Sequence, residues 1–300
     1  MSTEKMPSYG GQALIEGVVM RGTNAVAAAM RAPDGRIEIV QEDLSGIYKS
    51  PIRKIPFLRG LVILWDALGL GVRFLTLSAN IQTGEDEKLE GSQLALTLIT
   101  SFAIAIGFFF LLPALAAQGM ERFLGITSWW SNLLEGIIRL IFMIAYIWGI
   151  GRMEEIKRVF AYHGAEHKTI NAYENGVDLT PEKVSQCSLQ HPRCGTSFLL
   201  TVMVFSIILF SALGPLSLFW RLITRVVLIP VLAGFAYEYI RWTANHLESP
   251  LVKILVKPNL ALQNLTTREP DLSMLEVSIT AFKTMLAKEE NRVQEPAVAD

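Results

Sequence analysis

Residues 94–117 contain no Asp, Glu, Lys or Arg. A bilayer-spanning helix needs about 20 consecutive apolar residues, and this stretch exceeds that. A soluble core helix of that length would have to be apolar on every face, which is rare outside large proteins. The run therefore points to a membrane protein. Three more stretches approach the same length: 133–150, 198–220 and 222–239. The last two are joined so closely that they read as a helical hairpin, with breaks expected near Pro215 or Pro230. Composition agrees, because 51% of the residues are hydrophobic, only 18% are charged, and the mean hydropathy is +0.36.

Four ionisable groups interrupt these spans. Glu135 and Arg139 sit one helical turn apart and are expected to pair, while Arg225 and Glu238 lie near the expected interfaces and are expected to snorkel. Lys and Arg outside the spans number ten in residues 1–93, six in 152–197 and seven in 241–300. The connections at 118–132 and 214–225 hold only Arg122, Arg221 and Arg225. Basic residues stay on the cytoplasmic side, so both termini and the 152–197 segment are expected there. Residues 1–10 are polar, so no cleavable signal peptide is expected. A formal charge of −1 argues against a nucleic-acid partner.

The remaining segments predict a small cap. Asp34-Gly35 divides 25–31 from 36–40 as the turn of a β-hairpin. Over 55–80 the polar residues Arg59, Asp66 and Arg73 recur every seven, which leaves one narrow stripe on an interfacial or partly inserted helix. An acidic connector follows at 85–90. Residues 154–174 read as a helix stopped by Asn175-Gly176, and Thr180-Pro181 starts a short one. Residues 271–290 form an amphipathic helix before a tail at 294–300. The glycine-rich segment 10–22 lacks both phosphate-loop spacings, so a nucleotide is not expected. It reads first as an edge strand, and otherwise as a way to bring Glu16 or Arg21 to a functional site.

The chemistry concentrates between residues 163 and 194. Three of the four histidines and both cysteines lie there. His163, Glu166 and His167 spell H-x-x-E-H, the zinc-peptidase pattern in which both imidazoles share one helix face and the carboxylate adjoins the second. In that arrangement His163 and His167 hold a divalent metal, zinc first, and Glu166 is the proton acceptor. For the third ligand His191 and Cys194 are the leading candidates, then Glu174, with Cys187 and His246 behind. In the cytoplasm both thiols stay reduced, which favours ligands over a disulfide. A polar helix face with histidines bonded to carboxylates or lipid headgroups is the plainer alternative.

The stretches Gly10-Gly11-Gln12-Ala13-Leu14-Ile15-Glu16-Gly17, Tyr162-His163-Gly164-Ala165-Glu166-His167-Lys168-Thr169 and His191-Pro192-Arg193-Cys194-Gly195-Thr196 resemble the YqhQ-like family of bacterial membrane proteins. Leu77-Ser78-Ala79-Asn80 and Leu265-Thr266-Thr267-Arg268-Glu269-Pro270 resemble it too. The resemblance implies a bacterial inner-membrane location and a domain of unknown function, sometimes labelled a predicted metal-dependent enzyme on the same histidines.

These readings predict a mainly α membrane protein of about four transmembrane helices with a small cytoplasmic α+β cap. The segments are 1–54 with the hairpin, 55–93 interfacial helix and connector, 94–151 two spans, 152–197 the His/Cys insert, 198–240 two spans, and 241–300. The expected function is a metal-dependent hydrolase at the cytoplasmic face, acting on a membrane-associated peptide or lipid-linked substrate. Its rival is a non-enzymatic accessory or scaffold protein, a membrane-protein assembly partner, whose His/Cys metal site is structural.

Overall fold

The computed structural model describes residues 9–44, 55–83 and 91–294. The first eight residues, the acidic connector at 85–90 and the tail from residue 295 fall outside these. The described chain is mostly helical, with one small antiparallel sheet at the centre of a cap.

The sheet is a meander of β1 (Gly10–Leu14), β2 (Gly17–Arg21), β3 (Ala25–Arg31) and β4 (Ile37–Asp43). Asp34-Gly35 does turn β3 into β4: Gly35 has φ +87°, and the Arg36 amide donates to Asp34 Oδ1 at 3.0 Å. The sequence reading missed the β1–β2 hairpin, whose turn is Ile15-Glu16 with Glu16 at φ +52°. Glutamate seldom adopts that conformation, so surrounding contacts must hold it. The Arg31 amide donates to the Glu16 carbonyl at 2.7 Å, and the Glu16 carboxylate takes Arg158 as a two-pronged partner and the Tyr162 hydroxyl at 3.3 Å.

The faces of the sheet alternate with period two. Val18, Met20, Ala27 and Ala29 pack on α5 (Glu154–Glu174) and α11 (Leu272–Gln294). Leu14, Val19, Val26, Ala28 and Met30 face Phe74 of α1 (Leu58–Thr83). Strand β3 is covered on both sides, which explains its uninterrupted small apolar residues. A short helix, α6 (Pro181–Val184), packs against α5 and α11.

The second tier is a bundle. Helix α2 (Gly91–Ile106) runs through a π-helical turn at Gly107–Leu111 into α3 (Leu112–Leu124). Then follow α4 (Ser128–Ile150), α7 (Thr196–Ala212), α8 (Leu218–Val227), α9 (Ile229–Ala244) and α10 (Pro250–Thr266). Among the described residues three helical runs are long and apolar enough to cross a membrane: Leu58–Thr83, Gly91–Leu124 and Ser128–Ile150. The pair α8–α9, bent by 43°, makes a fourth if counted as one span.

The expected third span stops early. Gly214 adopts φ +71° and Pro215 follows, so α7 ends at Ala212 and spans about 25 Å at 1.5 Å per residue. Helix α1 meets the length test, yet only its first half lies along α9, where Gly60 admits Tyr237 and Arg59 pairs with Glu238. Its second half docks on the sheet through Phe74 and Ser78. The two arginines of the polar stripe are thus anchors, since Arg73 pairs with Glu42 of β4. Arg225 does not snorkel. It is fully buried and bonds Glu135, which already pairs with Arg139 as expected.

Candidate metal centre

Local sequence builds the helix that carries the histidines. Glu154 and Glu155 occupy the first turn of α5, where carboxylates favour the N-terminal dipole. At the far end the Val177 amide reaches the Ala172 carbonyl at 2.8 Å, and the Gly176 amide, at φ +67°, reaches Tyr173 at 3.1 Å. That is the Schellman stop expected from Asn175-Gly176. Between these ends His163 and His167 share one face, their rings edge to face with centroids 4.4 Å apart.

Their hydrogen bonds decide which nitrogens are free. His163 Nδ1 lies 2.9 Å from the Thr266 carbonyl, and His167 Nδ1 lies 2.5 Å from the Leu189 carbonyl. A carbonyl can only accept, so both Nδ1 atoms carry the proton in the neutral rings and both Nε2 atoms keep a lone pair. His163 Nε2 then points at Cys194 Sγ, 3.2 Å away, and the buried His167 Nε2 makes no hydrogen bond among the described residues. One ligand atom from each of His163, His167 and Cys194 lies within 4.8 Å of the other two. Tetrahedral bonds of zinc to nitrogen and sulfur put ligand atoms about 3.3–3.8 Å apart, so the His163–Cys194 pair at 3.2 Å would open slightly and a pair at the 4.8 Å limit would close by about 1 Å.

Glu166 stands beside this triad, its Oε2 3.8 Å from His163 Nε2. Burial pushes its carboxyl up, against the opposing pull of His163 and of the Gly11 amide. Gly11 is where the glycine-rich segment meets the site: a side chain there would come within 2.8 Å of Glu166 Cγ and 2.7 Å of the Val19 carbonyl. Glu16 is engaged with Arg158 instead, and Arg21 ends β2, so the segment contributes backbone to the site.

His191 is one ring further on. Its centroid is 5.8 Å from that of His167, but its Nε2 faces Glu174 Oε2 at 3.5 Å without a hydrogen bond. Burial pushes the imidazole pKa down, with Glu174 resisting. Burial would raise Glu174, but His191 and Arg193 hold it below the usual carboxylate range. Cys187 Sγ is turned to the Lys183 carbonyl, and His246 Nδ1 to that of Trp242 at 2.8 Å.

Two supports went unseen in the sequence. Gln263, fully buried, accepts from the His191 amide at 3.0 Å and donates to its carbonyl at 2.9 Å, which clamps the turn leading to Cys194. Gly164 leaves room for the Arg268 carbonyl against α5, and this brings the Thr266 carbonyl over His163. Only the Leu265–Pro270 resemblance hinted at this strand of contacts.

Residues 55–288 match the family described as "Protein of unknown function (DUF1385)". Over 305 residues the chain is 35% identical to the "Uncharacterized protein YqhQ" of Bacillus subtilis (strain 168), covering 96% of each chain. The chain belongs to the YqhQ-like family. The matched YqhQ-like region includes the three clustered residues, Glu166 and the clamp at Gln263, while the sheet precedes it. No solved structure matches the chain.

Proposed function

We propose that His163, His167 and Cys194 hold one divalent cation, zinc first, and that the protein is a metal-dependent hydrolase at the cytoplasmic membrane face. The observation that carries the metal reading is the pair of Nδ1–carbonyl bonds, which leaves both Nε2 lone pairs free, that of His163 3.2 Å from Cys194 Sγ. Metal-bound histidines characteristically donate their other nitrogen in this way. Bound zinc would act as a Lewis acid and lower the pKa of water to about 7. Glu166 would take the proton, and its burial makes it a stronger base than a solvated glutamate. The site lies where α5, the start of α7 and the end of α10 meet, which suits a membrane-associated peptide or lipid-linked substrate.

One feature favours the second reading, an accessory protein whose metal only staples the cap. His167 is fully buried and Cys194 and Glu166 are each 6% exposed, so solvent reaches the cluster poorly. Structural zinc sites are closed in that manner. Metal analysis of the purified protein separates the possibilities. Wild type is expected to carry about one equivalent, with His167→Ala and Cys194→Ala losing it; metal-free wild type would overturn both readings. Glu166→Gln is expected to retain metal and abundance yet fail to complement a deletion strain. Full complementation would sink the hydrolase and leave the staple.

A further inference from the structure

The bundle buries a second charged cluster that the metal centre does not use. Glu135 and Arg139 come from α4, Arg221 and Arg225 from α8, and all four are at most 1% exposed. Glu135 Oε1 accepts from Arg139 at 2.6 Å and from Arg225 at 2.7 Å, and its Oε2 from Arg225 at 2.7 Å. The π-helical turn supplies the Phe109 carbonyl to Arg139 Nε at 3.0 Å, and the Phe210 ring lies under Arg139 and Arg225.

Arg221 is left over. Its Nε is 3.8 Å from Glu135, beyond a hydrogen bond, because that carboxylate is already shared by two guanidiniums. Its donors go mainly to neutral acceptors: Gln118 Oε1 at 2.7 Å, Asn132 Oδ1 at 2.8 Å and Ser131 Oγ at 3.0 Å. Among the described residues the one further carboxylate is Glu121 at 3.2 Å, whose side chain is 24% exposed. Three guanidiniums against two carboxylates leave one positive charge among apolar helices, a costly arrangement unless an anion joins it.

The location follows from chain direction. Ile150, the last residue of α4, adjoins the cap, so Ser128 marks the far end; Glu135 is about 10 Å and Arg139 about 17 Å from it at 1.5 Å per residue. Arg221 lies in the first turn of α8, after α7 has run from Cys194 to that same far end. Ser128 Oγ bonds Glu121 there at 2.8 Å. The cluster therefore reaches the surface through Glu121, on the side away from the metal centre.

We propose that Arg221, flanked by Gln118, Ser131 and Asn132, binds a phosphodiester monoanion entering at this end of the bundle. A guanidinium fork matches phosphate oxygens, and an anionic oxygen in place of a neutral acceptor makes a stronger, charge-assisted bond. One negative charge brings the cluster to neutrality. The headgroup of an anionic phospholipid such as phosphatidylglycerol and a soluble glycerophosphodiester such as glycerophosphoglycerol share this chemistry.

The test uses the full chain, recovered from the membrane fraction after carbonate extraction and reconstituted in nanodiscs. Thermal midpoints are compared in phosphatidylcholine alone, in phosphatidylcholine with phosphatidylglycerol, and in phosphatidylcholine with added soluble glycerophosphoglycerol. Phosphatidylglycerol is expected to raise the wild-type midpoint by about 3 °C or more. Arg221→Gln should abolish that increment, while Arg122→Gln, an exposed neighbour, keeps it. If Arg221→Gln does not fold, Glu121→Gln decides: with one more positive charge left over, it should retain several-fold more phosphatidylglycerol through purification. A midpoint raised by glycerophosphoglycerol alone assigns the site to a soluble anion. Equal midpoints in all three media, or an increment that survives Arg221→Gln, would overturn the proposal.

Discussion

Single side chains set the geometry of the candidate metal centre, and Gln263 illustrates how. Its amide answers both backbone groups of His191, and its Nε2 also reaches Ser197 Oγ at 3.3 Å, so it ties the Cys194 turn at two points. Truncation would leave a buried amide and carbonyl unpartnered, at a cost of about 1–3 kcal/mol. Cys194 would also lose its support, as when residues behind a metal ligand are removed, so metal affinity is expected to fall about 10–100-fold. Gln263→Ala should therefore show both effects in thermal unfolding and in titration with a competing chelator. Unchanged metal affinity in a destabilised variant would mean the clamp serves the fold alone.

At the level of elements, α11 holds the cap together, packing on β2, β3 and α5 at once. Its start depends on Asp271, whose Oδ1 accepts from the Met274 amide at 2.9 Å and from Ser273 Oγ at 2.6 Å. Burial opposes ionisation of Asp271, but these bonds outweigh it and hold the carboxyl below its usual range. A depressed carboxyl stabilises the fold fully above its unfolded pKa, about 3.9, and that contribution disappears as pH falls through the lower folded value. Asp271→Ala is expected to cost about 0.5–2 kcal/mol near neutrality. Chemical unfolding at pH 7 and near pH 2 checks this. The gap between wild type and variant should shrink at the lower pH, and a constant gap would show that the loss is packing.

For the whole molecule the charge distribution decides which way it faces. The 23 Lys and Arg in residues 1–93, 152–197 and 241–300, against three in the connections at 118–132 and 214–225, predict a cytoplasmic cap. The fold makes this checkable, because Thr180 of the cap and Ser217 of the α7–α8 connection lie at opposite ends of the bundle. In a Cys187→Ser background, an impermeant thiol reagent added to intact cells should label Ser217→Cys and spare Thr180→Cys. The reverse pattern would invert the topology, and with it the reduced state expected of Cys194.

Several features were legible without the fold because they depend on near neighbours in the chain. The uncharged run at 94–117, the Asp34-Gly35 turn, the Asn175-Gly176 stop and the paired faces of His163 and His167 each follow from spacing over a few residues. Periodicity says which face of an element is buried, but it does not name the partner that covers it. Tertiary structure made those choices. It put Cys194 against His163 and turned His191 to Glu174, although both residues lay at plausible distances in sequence. It gave Glu135 a second guanidinium from a residue 90 positions away, where sequence suggested a self-contained pair. The Ile15-Glu16 turn was hidden for the same reason, since Arg31 and Arg158 hold Glu16 in a conformation its own neighbours would not select.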